Sequence, residues 1–272
     1  MLILLAENNQ SSRLVTRSIL ERDGHHVRFA SDGERALALA ELVSFDVMLL
    51  DIVMPGMDGL SAARILRDRR LEAGTGRTQR HWAKVIALTA YDTPGDIARC
   101  RAAGFDGIIA KPLRRGDVEA ALSDRRLQTT KPVVGIAANS VDHGARPLLD
   151  IAVLREGPGQ ADEVTRRHVL TSYRSGLSDS LKGIARTLPG CLAGDERLTL
   201  EFHEALHSLR SASLTVGMNR VPWIARDVRT APTERLVERT AQLLQAVRET
   251  LPFLEAALET LPDASVTAGE RR

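Results

Sequence analysis

Two cysteines in 272 residues, Cys100 and Cys191, are too few and too far apart for a disulfide framework or a cysteine-held zinc site. Aromatic residues make up 3% of the chain and the net charge is +2, so the stacking rings and basic stripe of a nucleic-acid surface are both missing. No apolar run approaches membrane-spanning length, and Met1 leads into a strand pattern without a basic n-region or cleavage site. The expectation is a cytoplasmic chain with no membrane insertion. Lysine is scarce as well, occurring only at positions 84, 111, 131 and 182, while the other basic residues are arginine. What is present, 43% hydrophobic and 26% charged residues, is a globular composition long enough for two cores.

The first half alternates strand and helix patterns. Apolar runs at Leu2 to Ala6, His26 to Ala30, Val47 to Leu50, Lys84 to Leu88 and Asp106 to Ala110 read as five strands. Helical patterns come after each of them, at Ser11 to Asp23, Asp32 to Leu42, Met57 to Arg70, Asp96 to Ala103 and Arg115 to Leu122. Such alternation predicts a mostly parallel, doubly wound five-stranded α/β sheet with right-handed crossovers.

The stretch Phe45 to Leu60, FDVMLLDIVMPGMDGL, organises this half. Its buried strand stops at Asp51, and Pro55 and Gly56 then force the chain to turn, leaving the carboxylate at the rim. Other polar residues also close strands: Glu7 and Asn8 the first, Thr89 the fourth, Lys111 the fifth. In a parallel sheet all of them fall on the carboxyl edge, where ligands bind. The set suits phosphoryl transfer to a carboxylate: an oxygen-seeking divalent cation held by the acids screens the phosphoryl oxygens, while an ammonium and a hydroxyl take up the remaining charge.

With Glu7, DIVMPGMDG from Asp51, ALTA from Ala87 and KPL from Lys111, residues 1–125 resemble a response-regulator receiver domain. The string CRAAGFDGIIAKPL from Cys100 resembles the receivers attached to hybrid histidine kinases. The resemblance implies a flavodoxin-like fold, a phosphoacceptor at Asp51, and a Thr89 and Lys111 switch. It also implies Mg2+ held by Glu7, Asp51, the residue at position 8 and the backbone carbonyl of Val53. Two positions depart from the family: Asn8 stands where a second acid is usual, and Ile108 where the strand-five aromatic is usual. Val53 and Tyr91, two residues beyond Asp51 and Thr89, are unsuited to holding a hydrolytic water, so a slow loss of phosphate from Asp51 is expected.

Residues 126–147 lose periodicity and read as a linker. From 148 to 272 the pattern is helical throughout and predicts an all-α antiparallel bundle. A short helix is expected at Leu149 to Leu154, and a long one at Asp162 to Leu188 closed by Pro189-Gly190. Two more are expected at Asp195 to Val216 and from a cap at Asn219 through Val228, and the last runs from Thr233 to about Leu261, kinked at Pro252.

In the helix from Asp195, Leu198, Phe202, Leu206, Leu209 and Val216 form the apolar stripe, leaving His203, His207, Arg210, Ser211 and Leu214 on an exposed face. His203 to His207 spells HEALH, a zinc-peptidase pattern that lacks an evident third ligand. The longer string HSLRSASLTVG, from His207 to Gly217, resembles the histidine-containing phosphotransfer (HPt) domain. That implies His207 as a second phosphoacceptor, supported by Arg210 for charge and Ser211 for access. The combined expectation is a phosphorelay intermediate without a kinase catalytic domain, partnered by a sensor histidine kinase and a downstream response-regulator receiver. A zinc peptidase, and an interaction module that no longer takes phosphate, stand as alternatives.

Overall fold

The computed structural model describes residues 1–73, 83–90, 94–123 and 163–260. Tyr91, the linker at 126–147 and the short helix expected at 149–154 lie outside the described residues. The chain divides into two compact units, one built on a sheet and one on the C-terminal helices.

In the sheet unit the order is β1 (Leu2–Ala6), α1 (Gln10–Arg22), β2 (His26–Ala30), α2 (Gly33–Leu42), β3 (Val47–Asp51) and α3 (Gly59–Ala73). Then come β4 (Lys84–Thr89), α4 (Pro94–Ala103), β5 (Gly107–Ala110) and α5 (Arg115–Ser123). All strands are parallel and lie in the order β2-β1-β3-β4-β5, the flavodoxin-like winding. Alternate strand residues divide the core. Leu4, Ala6, Met48, Leu50, Val85 and Ala87 pack with α2, α3 and α4 through residues such as Leu37, Leu66 and Ala103. Their neighbours Ile3, Leu5, Leu49, Ile86 and Leu88 are buried on the opposite face, towards which right-handed crossovers direct α1 and α5. β3 is buried over its full length, whereas the edge strand β2 alternates, which explains why the former reads as an unbroken apolar run.

The helical unit contains α6 (Glu163–Leu192), α7 (Glu196–Thr215), α8 (Arg220–Thr230) and α9 (Thr233–Glu259). Successive helices pack on one another and α9 returns to α6, closing the bundle. The connections between them are short, as antiparallel neighbours require. Asp195 caps α7, its carboxylate accepting from the Leu198 N–H at 2.9 Å.

Two expected helix ends are corrected. Pro189-Gly190 does not close α6, which runs on to Leu192. The stop is Gly194 at φ 80°, with the Asp195 N–H donating to the Gly190 carbonyl at 3.0 Å. Gly190 serves the packing instead: a Cβ there would lie 2.1 Å from Leu198 Cδ1, so its absence lets the end of α6 approach the start of α7. Asn219 precedes α8 with helical backbone angles and makes no side-chain cap bond, the helix starting on Pro222 in its first turn. Helix α9 continues through Pro252.

Candidate functional site

Strand register alone assembles the polar strand ends. Ala6 is level with Leu50, so Glu7, the next residue, stands beside Asp51. Asp51 is level with Leu88, so Thr89 lies one step further along the neighbouring strand. Thr89 is level with Ala110, which puts Lys111 next in line. The four residues expected from the sequence therefore converge on one edge of the sheet. Asn8 comes directly after Glu7 in the β1–α1 loop, half-buried, and Val53 lies two residues beyond Asp51, also half-buried.

Lys111 holds the centre. Its Nζ donates to Asp51 Oδ2 at 2.7 Å and to Glu7 Oε2 at 2.5 Å, and all three side chains are buried. Thr89 is buried as well, and its carbonyl accepts from the Lys111 N–H at 2.7 Å, which ties the ends of β4 and β5 together. Burial pushes the Glu7 carboxyl up from its ordinary 4.5 to about 8, with the charge of Asp51 adding to the shift and Lys111 opposing it. For Lys111, burial acts to lower the pKa, but the charges of Asp51 and Glu7 outweigh it and raise the value above its ordinary 10.5. Two acids face a single ammonium, and their charges are what let Lys111 keep its proton in a buried site.

The loop after Asp51 is drawn tightly against the strand. The Gly59 N–H donates to the Ile52 carbonyl at 3.0 Å, and a Cβ on Gly59 would lie 2.1 Å from the Asp51 carbonyl oxygen. Asp58 caps α3, accepting from the Ser61 N–H at 2.7 Å. The close approach of Gly59 to the Asp51 backbone is not legible in the sequence, where Asp58-Gly59 reads only as a turn.

On α7 the expected exposed face is absent. His207 (2% exposed), Arg210, Ser211 and Leu214 are all buried, and only His203 is half-buried. The small polar residues of this stretch tolerate burial because they are satisfied close by. Thr215 Oγ1 donates to the Ser211 carbonyl at 2.9 Å, and the Ser213 and Tyr173 hydroxyls are 3.0 Å apart. Burial lowers the pKa of His203, and the nearby Arg229 charge lowers it further. A cation beside His203 works against metal binding there. Among the described residues no cluster of three or more His, Cys, Asp and Glu is placed to hold a metal ion, so HEALH finds no third ligand there. Cys100 and Cys191 are both free.

The response regulator receiver domain family model matches residues 3–123. Residues 3–123 are a receiver domain. Among known proteins, the sensor histidine kinase AruS of Pseudomonas aeruginosa is 38% identical over 136 residues, covering 50% of this chain and 13% of AruS. The sensory/regulatory protein RpfC of Xanthomonas campestris pv. campestris is 26% identical over 223 residues, covering 81% of this chain and 29% of RpfC. The chain thus spans under a third of the length of either relative. The match to RpfC is longer than the receiver domain and so takes in part of the helical unit. Among solved structures, the receiver domain of the sensor histidine kinase PA1611 from Pseudomonas aeruginosa PAO1, with magnesium in its active-site cleft, is 33% identical. It covers 44% of this chain and 93% of that one, at a TM-score of 0.38. The receiver domain is homologous to those of hybrid kinases and belongs to two-component signalling. Among the described residues no helix is long and apolar enough to cross a membrane.

Proposed function

We propose that the chain is a phosphorelay intermediate in which the receiver domain takes a phosphoryl group on Asp51 and the helical unit acts as an HPt domain through His207. The observation that carries the first half is the Lys111 ammonium seated between Glu7 and Asp51. It supports the reading of Asp51, at the end of β3, as the carboxylate whose oxygen meets a phosphoryl group with a cation already alongside. The donor is the phosphohistidine of a sensor histidine kinase. As the Asp51 oxygen forms its bond to phosphorus, the bond from phosphorus to the imidazole nitrogen breaks, and the imidazole leaves with the electron pair. Lys111 and the Thr89 hydroxyl stabilise the charge carried by the transferring group.

The donor set also suits Mg2+. Glu7 and Asp51 carboxylates, the Asn8 amide oxygen and the Val53 carbonyl are all hard oxygen donors, and the two acids share a single ammonium. When bound, the ion screens the phosphoryl oxygens. With one anionic ligand replaced by a neutral amide, Asn8 makes this a weaker site than one with three acids.

The second half rests on the string HSLRSASLTVG from His207, and on the similarity to RpfC that runs beyond the receiver domain. His207 passes a phosphoryl group to, or takes one from, a receiver aspartate, with Arg210 supplying charge and Ser211 little bulk. Phosphotransfer from each sensor histidine kinase, and to each receiver, of the source organism tests the reading. Transfer from one kinase onto Asp51, together with acid-labile label on His207, supports a relay. Transfer onto Asp51 with none on His207 under any pairing leaves a receiver alone and removes the HPt half.

A further inference from the structure

The loop from Ile52 to Asp58, which carries the Val53 carbonyl, is closed at three points. Two are local: the Gly59 N–H on the Ile52 carbonyl at 3.0 Å, and the Asp58 cap on α3. The third comes from another helix. The N–H of Gly33, the first residue of α2, donates to the Met57 carbonyl at 3.0 Å. Gly33 is buried, and the approach is close: a Cβ there would lie 2.7 Å from the Met57 carbonyl oxygen and 2.8 Å from Met57 Cγ. Gly33 is not among the glycines with positive φ, so the requirement for glycine is nearness and not backbone freedom. The support itself is firm. Asp32 caps α2, accepting from the Arg35 N–H at 2.8 Å, and that bond is the main cause of its lowered pKa. Gly116, at the start of α5, offers the contrast of a helix-start glycine with nothing within 4 Å of its would-be Cβ.

We infer that Gly33 is a positioning residue for the phosphoacceptor site: by holding Met57 from α2 it sets the depth of the loop, and so brings the Val53 carbonyl and the Asp51 carboxylate onto one cation. This rests on the reading of Asp51 and its neighbours as a Mg2+-assisted phosphoacceptor site. A Cβ at position 33 pushes the loop outward by its Met57 end and leaves the ligand side chains themselves untouched.

Titration calorimetry with Mg2+ on the full chain tests this, comparing the parent, Gly33→Ala and Gly116→Ala. Outer-shell supports of a metal site are worth on the order of tenfold in affinity, and that is the weakening expected for Gly33→Ala, with Gly116→Ala unchanged. The second readout is amide hydrogen exchange of Gly33 in the parent protein. Coupling is reciprocal, so Mg2+ should slow exchange at Gly33. It decides the matter if Gly33→Ala does not fold. A Gly33→Ala protein that melts at a lower temperature yet binds Mg2+ as the parent does overturns the inference, as does Gly33 exchange indifferent to Mg2+. A parent chain that binds no Mg2+ overturns the reading of the site itself, and this inference with it.

Discussion

The ammonium of Lys111 lies 2.7 Å from Asp51 and 2.5 Å from Glu7, so one buried cation serves two buried carboxylates from strands that are neighbours in the sheet but 44 residues apart in sequence. Removing Lys111 leaves both acids without that partner. Truncating one member of a buried ion pair typically costs about 3–5 kcal/mol.

Stability should depend on pH through Glu7. Its folded-state pKa of about 8 lies above its ordinary 4.5, so the folded protein holds that proton more tightly than the unfolded chain does. The contribution is complete below pH 4.5 and is lost as pH rises through about 8. The raised pKa of Lys111 acts in the same sense, but only above its ordinary 10.5. Glu7→Gln, neutral at every pH, should therefore be more stable than the parent at pH 8.5 and lose that advantage at pH 5. Denaturant melts at the two pH values measure this. A Gln variant less stable than the parent at pH 8.5 contradicts the assignment of strain to ionised Glu7.

Asn8→Asp restores a full negative charge to the coordination shell, and Mg2+ should bind more tightly, by on the order of tenfold. Calorimetric titration gives the answer directly. Equal or weaker binding places residue 8 outside the shell.

The two histidines of HEALH differ in their neighbours one turn on. His207 has Arg210 and Ser211 there, whereas His203 has Leu206 and stands near Arg229, on another helix. His207→Gln should abolish acid-labile labelling of the chain by a phosphorylated receiver, while His203→Gln keeps most of it. Loss of labelling in His203→Gln alone would reverse the assignment.

Two glycines of α6 should respond to alanine with opposite signs. Gly176 has nothing within 4 Å of its would-be Cβ, so Gly176→Ala should stabilise the chain by about 0.5–1 kcal/mol through helix propensity. At Gly190 a Cβ would lie 2.1 Å from Leu198 Cδ1 and 2.8 Å from Leu198 Cβ, and overpacking of this kind costs about 1–3 kcal/mol. Thermal melts that rank Gly190→Ala above the parent would contradict the packing of α6 on α7.

How far the sequence can be read depends on whether the signal is local. Val47 to Leu50 is buried on both faces and therefore continuous in apolar residues, and its end at Asp51 marks the edge on which the site forms. Glu7, Thr89 and Lys111 are legible by the same rule, since register in a parallel sheet makes strand ends neighbours. The sharing of Lys111 between two acids is a matter of side-chain reach and is not legible. Nor is the end of α6: Pro189-Gly190 has the composition of a breaker, but Gly190 is required by Leu198 across the helix pair and Gly194 makes the stop. The burial of Ser213 and Thr215 escapes for a related reason: serine and threonine read as a solvent face, yet Thr215 bonds back to the Ser211 carbonyl and Ser213 pairs with Tyr173.

The central claim, that Asp51 receives the phosphoryl group, is tested most directly by residue-resolved mass analysis of the full chain after exposure to a small-molecule phosphodonor with Mg2+. The account predicts one phosphoryl group on Asp51 of the parent chain, with none on the sheet unit of Asp51→Asn and little on the parent when Mg2+ is chelated. Undiminished labelling of the sheet unit in Asp51→Asn, or a parent chain that takes no phosphate on Asp51 at saturating donor and Mg2+, would contradict it.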